Sequence, residues 1–163
     1  MLARVTTTDS KLPAVGQRAP DFTLASTEDR DISLADFKGK QSVVLYFYPR
    51  DDTPVCTAEA CSFRDEYEDF KAAGAEVIGV SDDSVESHDK FAAHHHLPFI
   101  LATDERGSLR EKMGVKKTLG MLKGRVTFVI DKDGVIRDRF DSQIRFKAHV
   151  HHALDLVKQL EHH

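Results

Sequence analysis

Apolar positions along this chain fall into runs of two kinds, and the kinds alternate. The longest unbroken run, Ser42-Val43-Val44-Leu45-Tyr46-Phe47-Tyr48, is rich in β-branched and aromatic residues and stops at Pro49, as a strand buried on both faces does. It is read as the central strand. Over residues 54–73, Cys56, Ala60, Phe63, Tyr67 and Phe70 recur at helical spacing, and Gly74 stands where a helix end favours a left-handed residue. A long helix therefore follows the strand. Residues 75–81 repeat the buried-strand pattern, and Ser84 to His96, stopped before Pro98, reads as a second helix.

The flanks continue the alternation. Upstream, Asp21-Phe22-Thr23-Leu24 and Ile32-Ser33-Leu34 alternate at period two around a polar turn, as a hairpin or edge element. Downstream come Phe99 to Ala102, a short helix from Ser108 to Met113, and the strand Val126 to Ile130. Asp133-Gly134 then turns the chain into Val135 to Phe140. Residues 147–160, with Val150, Leu154, Val157 and Leu160 on one stripe, close it as an amphipathic helix. The sum is an α/β fold, a mixed sheet with helices on both faces. Neither a repeat nor a linker interrupts it, so residues 1–163 are expected to form one domain, with 1–15 as an irregular N-terminal arm.

Composition narrows the function. At 163 residues, 40% hydrophobic and 31% charged, the chain has material for one core and a solvated surface. A formal charge of −4 gives no global attraction to nucleic acid or anionic lipid. Two cysteines supply neither the disulfide framework of a small secreted domain nor a four-ligand zinc site without distant histidines. The N-terminal residues lack a signal-peptide core and no run reaches membrane-span length, which makes the cytoplasm the expected compartment. Leu160-Glu161-His162-His163 look like the start of a Leu-Glu-polyhistidine tag and are set aside from functional reasoning.

The chemistry concentrates at Cys56. Pro49-Arg50-Asp51-Asp52-Thr53-Pro54-Val55-Cys56 carries the chain from the C-terminal end of the central strand into the first turn of the long helix, where α/β folds place ligand sites. Pro54 suits a first helical position, with Asp52 or Thr53 as N-cap. Cys56 then lies beside unpaired backbone N–H groups at the positive end of the helix dipole, a setting that favours the nucleophilic thiolate. A lone cysteine is often just a small buried hydrophobe; the coincidence of strand end, helix start and Thr53 argues otherwise. Cys61 lies five residues on, so in a regular helix the two Cα atoms sit roughly 8.6 Å apart. A disulfide tolerates at most about 7 Å. Were the two to react, the first turns would have to unwind; on spacing alone, Cys61 can instead be an inert core residue.

Pro49, Thr53 and Cys56 in the pattern Pro-x-x-x-Thr-x-x-Cys, continued as Thr57-Ala58-Glu59-Ala60-Cys61, resemble the active-site segment of peroxiredoxins, specifically of the peroxiredoxin Q or bacterioferritin comigratory protein group. Ala19 to Leu24, Val77 to Ser81 and Arg125 to Asp131 extend the resemblance over residues 12–159. It implies a thioredoxin-like fold and a thiol peroxidase reducing hydrogen peroxide and organic hydroperoxides without metal, haem or flavin. On the same resemblance Cys56 is the peroxidatic cysteine and Cys61 the resolving one, which condenses with the Cys56 sulfenic acid to an intrachain disulfide. Thr53 would hydrogen-bond thiolate and peroxide, Pro49 would shield the site from water, Arg125 would hold Cys56 as thiolate, and Glu59 would orient that guanidinium. On the strand pattern alone, Arg125 reads as a solvated strand-end charge. The resemblance further implies thioredoxin, or a glutaredoxin, as reductant; an intrachain bond needs no partner chain, so a monomer is expected. Where the group usually has Gly before the peroxidatic cysteine, Val55 stands here, and its β-branch is expected to slow unwinding.

Other readings compete. His94, His95 and His96 close one helix, and His149, His151 and His152 open another. Metal coordination by them is conceivable, but solvated or partly packed histidines are the expectation. A general thiol–disulfide oxidoreductase would use Cys-x-x-Cys rather than this spacing. A redox-sensing module that uses Cys56 only as a switch would be oxidised once without recycling.

Overall fold

The computed structural model describes residues 13–115, 117–118, 122–123, 125–141 and 145–161. Strands β1 (Thr23–Ser26) and β2 (Arg30–Ser33) form a hairpin, a 3-10 turn covers Leu34–Phe37, and β3 (Ser42–Phe47) leads into helix α1 (Pro54–Ala72). There follow β4 (Ala75–Ser81), α2 (Val85–His94), β5 (Ile100–Thr103) and α3 (Ser108–Lys112). A two-residue hairpin, β6 (Lys117–Thr118) with β7 (Leu122–Lys123), precedes β8 (Val126–Ile130), β9 (Ile136–Asp141) and α4 (Phe146–Glu161). The main sheet has seven strands in the order β2-β1-β5-β4-β3-β8-β9. β3 pairs in parallel with β4 and antiparallel with β8, and β4 pairs in parallel with β5, so the sheet is mixed.

The unbroken apolar run is explained by its place. All six residues of β3 are buried, and the strand's two-residue period deals them to two cores. Val43, Leu45 and Phe47 meet Leu34 and Phe37 of the 3-10 turn and Leu109 of α3 on one face. Val44, Tyr46 and Tyr48 meet α1, α2 and α4 on the other, through Cys56, Phe63, Phe91 and Val150. Helices cover both faces, as the alternation predicts, with the three long ones gathered on the side that carries Cys56. No described helix is long and apolar enough to cross a membrane.

Boundaries moved where the turn chemistry was hidden. The first hairpin lies about its turn at Glu28 and Asp29, both left-handed at φ 71° and 55°, two residues later than the alternation placed its first strand. Helix α2 stops at His94 rather than His96, because His96 takes φ 52° ahead of Pro98. The N-terminal arm falls mostly outside the described residues, but residues 16–19 are tied to the late hairpin. Gly16 N–H donates to the Ile136 carbonyl (2.7 Å) and Ala19 N–H to that of Gly134 (2.9 Å). Helix α4 runs through Leu160 and Glu161; His162 and His163 lie outside the described residues.

Candidate active site

The site is built at the C-terminal end of β3. Tyr48 N–H continues the ladder to the Val80 carbonyl (3.0 Å), and the half-buried Pro49 then takes the chain out of the sheet. Thr53, extended at φ −93° and ψ 153°, is the N-cap of α1, and Pro54 occupies the first helical position. The first intrahelical bond is Thr57 N–H to the Thr53 carbonyl (2.8 Å), which leaves the N–H groups of Val55 and Cys56 at the open helix end. Of the two residues suggested as cap, Thr53 takes the position and Asp52 turns left-handed before it, at φ 60°.

Register brings the cation. β8 pairs with β3 so that Val126 lies opposite Phe47, and Arg125 emerges beside the same strand end. Its Nη2 donates to Cys56 Sγ at 3.2 Å and its Nη1 to Glu59 Oε1 at 2.6 Å. Glu59 sits three residues beyond Cys56, on the same helical face. Cys56, Glu59 and Arg125 are 1%, 0% and 4% exposed. Arg125 is therefore not the solvated strand-end charge that its strand pattern suggests; it crosses under α1 and is enclosed there.

Burial governs the charges. Loss of water pushes the Glu59 carboxyl up to about 7 against the pull of Arg125. Burial would depress the Arg125 guanidinium, but Glu59 and Cys56 hold it above its ordinary value. Beneath lies an aromatic platform, with Tyr46 stacked on Tyr48 (centroids 5.4 Å apart) and on Phe63 (4.5 Å). His149 is fully buried, its Nδ1 2.7 Å from Thr127 Oγ1 and 3.9 Å from Glu59 Oε2. That corrects the expectation of a solvated or partly packed residue. Its helical stripe, shared with Val150, Ala153 and Val157, is the sequence signal that marks it as inward-facing.

The remaining expected residues are placed as follows. The Thr53 hydroxyl donates to the Arg50 carbonyl at 3.0 Å. Cys61 is half-buried farther along α1, and both cysteines are free thiols. Sequence reasoning missed a second buried group beside the active-site loop, in which Asp51 meets Tyr48, Ser87 and His88. Asp51 carried no signal, since an acid beside Asp52 reads as a turn; His88 did, lying three residues before Phe91 on the buried stripe of α2. At the surface, Asp52, His94 and His95 bring their ligand atoms within 4.8 Å of one another, and His95 Nε2 lies 3.4 Å from Asp52 Oδ1. Two surface clefts, one beside Leu34 and Phe37 and one beside Phe22 and Thr103, are lined by none of the Cys56 group.

Known proteins resemble this chain over most of its length. The AhpC/TSA family model matches residues 15–139, more than half of the chain. The chain is 49% identical over 147 residues to the chloroplastic peroxiredoxin Q of Sedum lineare, covering 90% of this chain and 78% of that protein. To the chloroplastic peroxiredoxin Q of Populus jackii it is 47% identical over 146 residues, covering 89% and 68%. Among solved structures, a peroxidoxin from Mycobacterium tuberculosis superposes with TM-score 0.84 at 34% identity, over 91% of this chain and 98% of that one. A PrxQ mutant from Xylella fastidiosa gives TM-score 0.83 at 28% identity, over 91% and 97%.

Proposed function

This chain belongs to the AhpC/TSA family, in its peroxiredoxin Q group, and is a thiol-dependent peroxidase; we propose that Cys56 is the sulfur that attacks the peroxide and Cys61 the thiol that resolves it. One observation carries the reading of Cys56: it combines the third position of a helix with a buried guanidinium N–H at 3.2 Å. The Cys56 thiolate attacks one oxygen of the hydroperoxide. A sulfur–oxygen bond forms as the oxygen–oxygen bond breaks, sulfur gives up two electrons, and the departing alkoxide or hydroxide takes a proton to leave as alcohol or water. Arg125 supports that step through Nη2, which meets the sulfur where the negative charge starts, and its positive charge beside the sulfur favours the charge that builds on the leaving oxygen. Glu59 holds the guanidinium in plane through Nη1. The Thr53 hydroxyl, which donates its hydrogen bond to the Arg50 carbonyl, keeps lone pairs to accept a hydrogen bond from the O–H of an incoming peroxide. Pro49 caps the strand end beside them.

The sulfenic acid then condenses with the Cys61 thiol, forming a disulfide and releasing water. Both cysteines lie in one continuous helix, so their Cα atoms, roughly 8.6 Å apart at helical geometry, must approach by unwinding of its first turns. A dithiol reductant of thioredoxin type supplies the two electrons that reopen the bond. The half-exposed Cys61 supports access by that partner, and an intrachain bond supports a monomer. The sequence reading favours the cytoplasm; the plant relatives are chloroplastic proteins. Peroxide consumption with thioredoxin, thioredoxin reductase and NADPH tests the assignment. Cys56→Ser should abolish reaction, and Cys61→Ser should react once without recycling. Full turnover in Cys56→Ser would overturn the site.

A further inference from the structure

We propose that Asp51 and His88 form a buried positioning pair that fixes where unwinding of α1 begins, and so sets how Cys56 divides between peroxide attack and disulfide formation. Asp51 precedes Cys56 by five residues, and four hydrogen bonds hold it from outside α1. Its Oδ1 accepts from the Tyr48 hydroxyl (2.6 Å) and its Oδ2 from the Ser87 hydroxyl (2.7 Å). Oδ2 also meets His88 Nδ1 at 2.8 Å. The backbone N–H of Asp51 donates to Asp83 Oδ2 (2.7 Å), which in turn accepts from the Ser81 hydroxyl (2.8 Å). The side chains of Asp51 and His88 are 3% and 0% exposed. A carboxylate oxygen only accepts, so His88 Nδ1 carries a proton and donates it to Asp51 Oδ2, while Nε2 is enclosed without a partner among the described residues. Burial would raise the Asp51 carboxyl, but His88 and Tyr48 hold it below the usual carboxylate range.

The chain changes character one residue later. Asp52 is 55% exposed on its side chain and left-handed, and the Thr53 hydroxyl bonds back to Arg50. Apart from that bond, between Asp51 and the Arg125 contacts of Cys56 and Glu59 lies only a surface pair, Asp52 with His95 at 3.4 Å, among the described residues, so motion that begins beyond Asp51 leaves the β3 end and most of α2 intact. The pair thus acts through the loop, not on the substrate. Loosening it withdraws Cys56 from Arg125 and frees it toward Cys61, which moves the two chemical steps in opposite directions. A general loss of stability, distributed over the fold, has no reason to do so.

The inference rests on Cys56 being the attacked thiol, and the experiment separates the two. In stopped-flow reactions with hydrogen peroxide, the sulfenylation and disulfide phases are measured for wild type, His88→Leu, His88→Asn and Ile136→Ala, the last a core change on the opposite sheet face. His88→Leu should slow sulfenylation about tenfold and speed disulfide formation severalfold, one charge-assisted hydrogen bond being lost. His88→Asn, whose amide sits where Nδ1 stands, should stay within about threefold of wild type by keeping the donor. Ile136→Ala should leave the ratio of the two rates unchanged. Parallel changes in both rates, the same split in Ile136→Ala, or no difference between His88→Leu and His88→Asn would overturn the positioning pair. Reaction persisting in Cys56→Ser would instead remove the assignment on which it rests. Amide exchange on the wild type covers the case of a variant that does not fold: the Asp51 amide should exchange far more slowly than those of residues 55–61, and equal rates would overturn the boundary.

Discussion

Arg125 reaches two acidic partners at once, Cys56 Sγ at 3.2 Å and Glu59 Oε1 at 2.6 Å, and everything at this scale follows from that fork. Replacing it by Gln should slow sulfenylation by about 10²–10³, the loss of a donor aimed at developing charge, as read by stopped-flow with one equivalent of peroxide. Lys should recover little, since an ammonium cannot span both partners in one plane. Glu59 gives a pH signature. Its folded pKa of about 7 lies above the ordinary 4.5, so the folded chain holds a proton that the unfolded chain has lost between those values. Its contribution is therefore fully present below about pH 4.5 and is lost as pH rises toward 7. The stability of wild type relative to Glu59→Gln should fall across that window and level off above it, measured as urea midpoints at each pH. Cys56 and Arg125 were legible because motif and resemblance named them. For His88 and His149 the helical stripe carries burial and no more, and for Asp51 not even that: their roles come from contacts between residues 22 to 90 positions apart, which no local pattern carries.

At the scale of elements, α1 must be stable enough to present Cys56 and weak enough to release it. Val55, second in the helix, is the residue whose replacement shifts that balance most simply. Val55→Gly should speed disulfide formation about twofold, the difference between the two residues' helix propensities, with peroxide attack little changed. Equal disulfide rates in a double-mixing experiment would contradict this. The elements themselves were largely readable, because buried strands and amphipathic helices impose periods that survive in β3, β4, α1 and α4. The first hairpin slipped because Glu28 and Asp29 make its turn in a conformation that glycine or asparagine usually signals. The small β6–β7 hairpin had no period to read, at two residues per strand.

Across the whole molecule, the sheet sets the distance between the thiol and its cation: α1 leaves β3 on one side, β8 delivers Arg125 on the other, and β4 backs both. Gly79, opposite Tyr46 in β4, lets the aromatic platform lie flat. A methyl there would stand 2.8 Å from Tyr46 Cζ and 2.9 Å from Leu101 Cδ2. Gly79→Ala should cost about 1–3 kcal/mol of stability by overpacking. Sulfenylation should slow with it, since the displaced ring carries Phe63 of α1, and denaturation combined with stopped-flow reads both. The mixed sheet with helices on both faces was legible in the alternation of elements, whereas the division of the expected single core into two by the sheet and the crowding of three long helices on the Cys56 face were not, because sequence order does not say which side a crossover takes.

The most direct test of the central claim is a peptide map of the protein oxidised with one equivalent of hydrogen peroxide. The account predicts a monomeric chain, two hydrogen masses lighter, with a single bridge joining the peptides that carry Cys56 and Cys61. Cys56 left as sulfinic acid beside an untouched Cys61 thiol, or a bridge between two chains, would contradict it.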